Sequence, residues 1–306
     1  MNSVASDPAL IGIDWGTSSL RAFLLNAEGA VIDQVSAPEG ITKVKDNGFE
    51  DVFNALLDGW SVYGDLPVVA SGMITSRNGW VETPYAAMPL DAEGLARALV
   101  PFATRGARQI HFVTGASIDH DGCPDVMRGE ETQIVGAAAS GLRDGVFVMP
   151  GTHSKWVQVR QGRIENFVTH MTGDVFAALK DHTILGALME GAEPHAESFE
   201  AGVKAGISAA GDLLHRLFHV RTLPLMGKIP KAGVSDYLSG LLIGAEIAGA
   251  KAQGHTADIV TIVGRSDLVD RYETALQIAG IDSRRASDDI AAMGHFEIAK
   301  AARLVA

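Results

Sequence analysis

Two stretches half a chain apart share one grammar, and that repeat constrains the fold more than any other feature. From Ile11 the chain reads IGIDWGTSSLRAFLLNAEGAVIDQV: a short apolar run, a Gly/Thr/Ser turn, an alternating run, a turn around Asn26 and Gly29, and a third run. From Val146 it reads VFVMPGTHSKWVQVRQGRIENFVTH, with Gly151, Thr152 and Ser154 in the first turn and Gly162 in the second. Each stretch spells a three-stranded meander. Helical spacing follows both, at 49–60 and 174–185. The first half continues with a strand at 67–70, a helix at 91–102 and a strand at 109–115. The second continues with helices at 201–218 and 235–250, a strand at 258–264, and helices after Ser266 and Ile290. Two βββαβαβ-like halves predict an α/β protein of duplicated lobes, 1–128 and 129–306, with mixed sheets flanked by helices and a cleft between them.

Composition narrows the function classes. The 306 residues suffice for two domains, and 47% hydrophobic with 20% charged residues describes a folded protein. Lys plus Arg number 25 against 37 for Asp plus Glu, a net charge of −12, which argues against nucleic acid or an anionic membrane as partner. An anionic substrate then needs cations gathered at one site. Cys123, the sole cysteine, excludes an internal disulfide and is expected to be a small buried residue. MNSVASDPAL lacks the pattern of a secretory signal, and no uncharged apolar run approaches the roughly 20 residues of a membrane span, so a cytoplasmic protein is expected. Oligomeric state is left open, a homodimer included.

A phosphate needs converging donors, and a tight Gly-containing turn offers backbone N–H groups while Thr and Ser add hydroxyls. Both meander turns have that composition. Asp14 ends the first strand ahead of its turn, where a carboxylate is placed to hold hydrated Mg²⁺ beside the phosphates. Neither GxxxxGK[ST] nor a strand-following GxGxxG occurs. The pairing of IGIDWGTSSLRAFLL with a second Gly-Thr hairpin resembles the acetate and sugar kinase, actin and chaperone ATPase superfamily, whose members bind ATP between two ribonuclease-H-like lobes. SGMITSRNGWVETPY, RGEETQIVGA, MPGTHSKWV and MTGDVFAALKDHTILG together resemble the 2-dehydro-3-deoxygalactonokinase family. That resemblance implies an actin-like ATPase fold, ATP and Mg²⁺ as cofactors, and phosphorylation of the C6 hydroxyl of 2-dehydro-3-deoxy-D-galactonate in galactonate breakdown.

Under the resemblance, Asp14, Gly16, Thr17 and Ser18 match the first phosphate motif, and Gly151, Thr152, His153 and Ser154 the second. Met149 stands where Asp14 stands in the first copy, so one metal-facing carboxylate is expected. Gly264 matches a strand end that approaches adenosine. An attacking alcohol must lose its proton, which calls for a carboxylate base. Glu130 and Glu131, opening the helix GEETQIVGAAASG, are the candidates, with Asp174 a third that also suits substrate binding; helix-dipole complementarity is the competing role. For the substrate carboxylate Arg77 is favoured, its planar fork matching two oxygens, with Ser76, Trp80 and Tyr85 beside it; Arg128 is a second cation near the boundary. His215 and His219 lack the pattern of a metal site, and DHDGCPD lacks calcium-loop spacing and reads as a polar loop. Competing readings are a kinase for another small polyol or sugar acid, an exopolyphosphatase-like phosphohydrolase, and a non-catalytic nucleotide-gated regulator.

Overall fold

The computed structural model describes residues 7–191, 193–209 and 211–305. In chain order the first elements are β1 (Pro8–Trp15), β2 (Leu20–Asn26), β3 (Val31–Ala37), α1 (Phe49–Leu57), β4 (Val68–Ser71), β5 (Tyr85–Ala87), α2 (Ala92–Arg97), β6 (Val100–Ala103), β7 (Gln109–Phe112), β8 (Gly115–His120), β9 (Cys123–Met127) and α3 (Glu130–Ala139). They are followed by β10 (Gly145–Met149), β11 (Ser154–Arg160), β12 (Arg163–His170), α4 (Thr172–His182), α5 (Ala196–Ile207), α6 (Leu213–Leu225), α7 (Val234–Ala252), β13 (Ile259–Ile262), α8 (Ser266–Ile278), β14 (Asp282–Arg285) and α9 (Ile290–Ala301).

Among the described residues, one sheet has the order β3-β2-β1-β4-β7-β6 and another the order β12-β11-β10-β13-β14, so the repeated meanders are edge-to-centre halves of equivalent sheets. The first sheet adds only the antiparallel edge strand β6. β5, β8 and β9 form a small third sheet. Alternation of side chains explains how β1 is buried on both faces. Ile11, Ile13 and Trp15 join Phe49 and Phe53 of α1 in one core cluster, while Gly12 on the other face lies against His295 of α9.

The chain divides into two compact units. The first comprises 1–144, 159–166 and 287–306, the second 145–158 and 167–286. Residues beyond Arg128 therefore sit with the first unit, because α9 returns to pack on α3. A Cβ on Gly136 would stand 1.8 Å from the Ile290 carbonyl oxygen, and one on Gly294 2.0 Å from that of Thr132, so these helices touch backbone to backbone. In the second unit α5 and α7 cross the same way through Gly202 and Gly240. The Ala/Gly-rich runs are packing faces, and no described helix is long and apolar enough to cross a membrane.

Three local expectations are corrected. The helix expected at 91–102 stops at Arg97, because Val100 to Ala103 pair antiparallel with β7. The helix expected at 201–218 is two, α5 and α6, separated by a turn with Gly211 at φ 79°. DHDGCPD is a β-hairpin: Asp121 (φ 53°) and Gly122 (φ 86°) supply the positive φ pair of a tight two-residue turn, which leaves Cys123 exposed rather than buried. The helix seam yields a test. Gly136→Ala should lower unfolding free energy by about 3 kcal/mol, read from urea denaturation, since a methyl group there must push α9 away.

Candidate active site

In the first unit three segments converge at the carboxyl ends of the central strands. β1 ends in Asp14 and Trp15, β4 in Ser71 followed by Gly72, and α3 begins after Gly129. Asp14 and Ser71 are paired neighbours in the parallel register. A Cβ on Gly72 would lie 2.8 Å from the Trp15 carbonyl oxygen and 3.3 Å from Asp14 Oδ1, and one on Gly129 would lie 3.1 Å from Gly72 Cα. Two glycines thus set the start of α3 directly on the strand ends. Asp14 faces Arg21 across the antiparallel β1/β2 register, and Arg21 Nη2 donates to Asp14 Oδ2 at 2.5 Å. The other oxygen faces Gly72, in space that any larger residue would fill.

The two glutamates differ in burial. Glu131 is fully buried and folds back so that the Gly129 N–H donates to both its oxygens, at 2.9 and 2.8 Å. Burial foremost, and then the neighbouring Glu130, pushes its carboxyl up to about 8. Glu130 is half-buried and accepts the Arg128 N–H at 2.9 Å. Behind the strand ends His295 meets Ser71 Oγ at 2.9 Å; burial pushes the imidazole down to about 4, so it is neutral.

The loop expected to meet substrate is held by Arg128. Its Nη1 donates to the Thr75 carbonyl (2.6 Å), Thr75 Oγ1 (2.6 Å) and Thr83 Oγ1 (2.7 Å), its Nη2 to the Thr83 carbonyl (3.1 Å), and the guanidinium lies 4.4 Å over the Tyr85 ring. Arg128 thus spans the loop from Thr75 to Thr83. Arg77 is exposed, and no described residue makes an ion pair with it. Ser76 Oγ donates to the Met73 carbonyl. Trp80 leaves the substrate surface: its ring stacks on Phe49 and meets Phe53, Phe102 and Phe112 edge-on, as an apolar indole at the end of a tight turn is drawn into the core.

Both phosphate turns follow one rule. In the first, the carbonyls of Gly16 and Thr17 accept from the N–H groups of Ile41 (3.0 Å) and Thr42 (3.3 Å), and Thr42 Oγ1 also donates to Thr17 (2.9 Å). Gly40 makes this approach possible, since its Cβ would fall 2.2 Å from the Thr17 oxygen. In the second, the Thr152 carbonyl accepts the Asp174 N–H at 2.9 Å, and Gly173 abuts Gly151, where a Cβ would be 2.4 Å from the Gly151 oxygen. Each turn has its carbonyls drawn aside by an adjoining segment. Among the described residues no backbone carbonyl takes the N–H groups of Thr17, Ser18, Thr152 or His153. Exposed turns whose N–H groups no backbone carbonyl takes have the composition of an anion site.

Other assignments change. Ser154 is fully buried and donates to Glu246 Oε1 at 2.7 Å, so its hydroxyl points away from the turn. Asp174 lies in the second unit beside His153, 3.8 Å from its Nε2. Gly264 is exposed at the end of β13, and a Cβ there would make only ordinary 3.6 Å contacts with Pro150. Sequence reasoning missed Arg21, Gly40, Gly72, Gly129 and Glu246. Cross-strand counting from the first turn offered a signal for Arg21 alone.

A family model for 2-keto-3-deoxy-galactonokinase matches residues 14–298. The chain belongs to that family. It is 34% identical over 281 residues to the 2-dehydro-3-deoxygalactonokinase of Escherichia coli (strain K12), covering 92% of this chain and 94% of that one. A Sinorhizobium meliloti protein of known crystal structure is 35% identical, with a TM-score of 0.87 over 95% of this chain and 98% of the other. The activator of 2-hydroxyisocaproyl-CoA dehydratase from Clostridium difficile, solved with bound ADPNP, superposes with a TM-score of 0.52 at 13% identity over 96% of each chain, a likeness of fold. The fold is the actin-like ATPase fold, and the chain is an ATP-dependent kinase.

The perturbed glutamate yields a pH prediction. Folded, Glu131 keeps its proton to about pH 8; unfolded, it ionises near 4.5. Between those values the folded chain binds the extra proton, so native stability falls as pH rises through the window. Glu131→Gln lacks that loss. Its unfolding free energy relative to the native chain should rise from pH 5 to pH 8 in urea titrations; a fall would contradict the assignment.

Proposed function

We propose that the chain transfers the ATP γ-phosphoryl group to the C6 hydroxyl of 2-dehydro-3-deoxy-D-galactonate, with Glu130 as the base. What carries this reading is the convergence of Asp14, Gly72 and Gly129 that sets the opening of α3 on the strand ends. Glu130 is preferred to Glu131 because a fully buried carboxyl that keeps its proton near neutrality neither reaches nor deprotonates an alcohol. Asp174 serves instead to hold the second turn through its N–H and to face His153.

In the transfer, Glu130 takes the O6 proton as O6 bonds to the γ-phosphorus, and the bond from that phosphorus to the β,γ-bridging oxygen breaks, releasing ADP. Thr17 and Ser18 in one turn and Gly151, Thr152 and His153 in the other offer N–H groups to the phosphates, while the Gly16 N–H closes its own turn by donating to the Ser19 carbonyl at 2.9 Å. Gly264 ends a strand suited to passing the adenosine. Mg²⁺, held through water by Asp14, supplies charge neutralisation at the phosphates when bound; Arg21 on Oδ2 leaves Oδ1 for that role. Arg77 pairs with the substrate carboxylate, and Ser76 and Tyr85 flank it in a loop fixed by Arg128. The acidic surface, net −12, makes such a local cation necessary for a sugar acid.

The reading is tested by ADP release with ATP and Mg²⁺, comparing the galactonate-derived acid, its C4 epimer, glycerol and no acceptor. The galactonate-derived acid should turn over fastest and carry phosphate on C6. Glu130→Gln should lower kcat by about 100- to 10,000-fold with the KM for ATP little changed. Release of ADP that is indifferent to the acceptor contradicts the proposal.

A further inference from the structure

Glu246 sits on the buried face of α7, 4% exposed, and no described cation pairs with it. Its carboxylate is instead saturated by neutral donors. Oε1 accepts from Ser154 Oγ at 2.7 Å and Trp156 Nε1 at 2.8 Å; Oε2 accepts from Tyr272 Oη at 2.7 Å and from Thr172 Oγ1. A buried carboxylate is costly, and a set of donors this complete is what makes it tolerable. Burial and the same carboxylate push the Tyr272 hydroxyl well above its ordinary value, so it stays a donor.

The donors are not scattered. Ser154 is the residue immediately after the second phosphate turn, and Thr172 immediately precedes Gly173 and Asp174, the pair that draws the turn's carbonyls aside. One carboxylate therefore ties both flanks of the turn to α7, and through Tyr272 to α8. The first turn is backed by its own 40–42 segment and has no such carboxylate in its bonding.

We infer that Glu246 is a positioning residue for nucleotide binding: by holding Ser154 and Thr172 together it fixes the N–H groups of Thr152 and His153, which no backbone carbonyl takes, for the ATP phosphates. The inference rests on the reading that this turn binds ATP. A glutamine at 246 keeps the shape but must present an N–H₂ group to two of the four donors, loosening one flank.

The test is calorimetric titration with ATP and steady-state kinetics of the full-length native chain, Glu246→Gln and Thr172→Val. Glu246→Gln should weaken ATP binding by about tenfold and raise the KM for ATP alike, while the KM for the sugar acid holds within about twofold. Thr172→Val should shift ATP in the same direction by less, and it decides the matter if Glu246→Gln does not fold. ATP affinity within about twofold of native in both variants overturns the inference, as does a parallel shift for ATP and sugar acid that tracks lost stability. Failure of the native chain to bind ATP or ADP overturns the reading of the turn itself, and the native titration alone reports it.

Discussion

The close approach of Gly129 to Gly72 is the contact on which the arrangement at the strand ends of the first unit depends. The two residues meet at a separation where a single Cβ would stand 3.1 Å from backbone. Because α3 is seated there, its first residue carries Glu130 to the strand ends and its second turns Glu131 inward onto the Gly129 N–H. The seat is held from the far side by α9, whose backbone meets that of α3 at Gly136 and Gly294 and whose His295 caps Ser71. Chain termini and middle thus cooperate in one compact unit.

The two Gly-Thr turns follow a second constraint, economical in residues. A backbone turn binds anions only if its carbonyls are occupied elsewhere, since otherwise the same loop presents both signs. Each turn has a glycine-led neighbour that takes one or more of its carbonyls, Gly40 leading it in one and Gly173 in the other. They differ in what braces them. The first turn stands beside the Asp14–Arg21 pair, whereas the second, with Met149 in place of an aspartate, is braced from beneath by Glu246. Duplication has kept the backbone scheme and divided the side-chain roles.

Much of the fold was legible because period-two and helical spacings report one-sided burial. The meanders, α7, β13 and the strand at β4 stand where the spacing put them. What the pattern missed has physical reasons. Val100 to Ala103 extend a helical pattern but win more from pairing with β7. Trp80 reads as a recognition surface beside Arg77, yet five aromatic rings pack together at lower cost than one lies exposed. Ser154 matches a motif by position, and only the fold reveals that Glu246 claims its hydroxyl. Glycines that serve close approach rather than turns, such as Gly72 and Gly136, carry no one-dimensional signal.

The most direct test of the account is kcat for Gly129→Ala beside its urea unfolding curve. Gly129 sits at φ 107° against Gly72, so an added methyl displaces the start of α3 from the strand ends. The account predicts a chain that still unfolds cooperatively while kcat falls by about 100-fold, the cost of a misplacement near one ångström. A folded variant with kcat within about twofold of native would contradict the claim that this glycine seat positions the reacting groups.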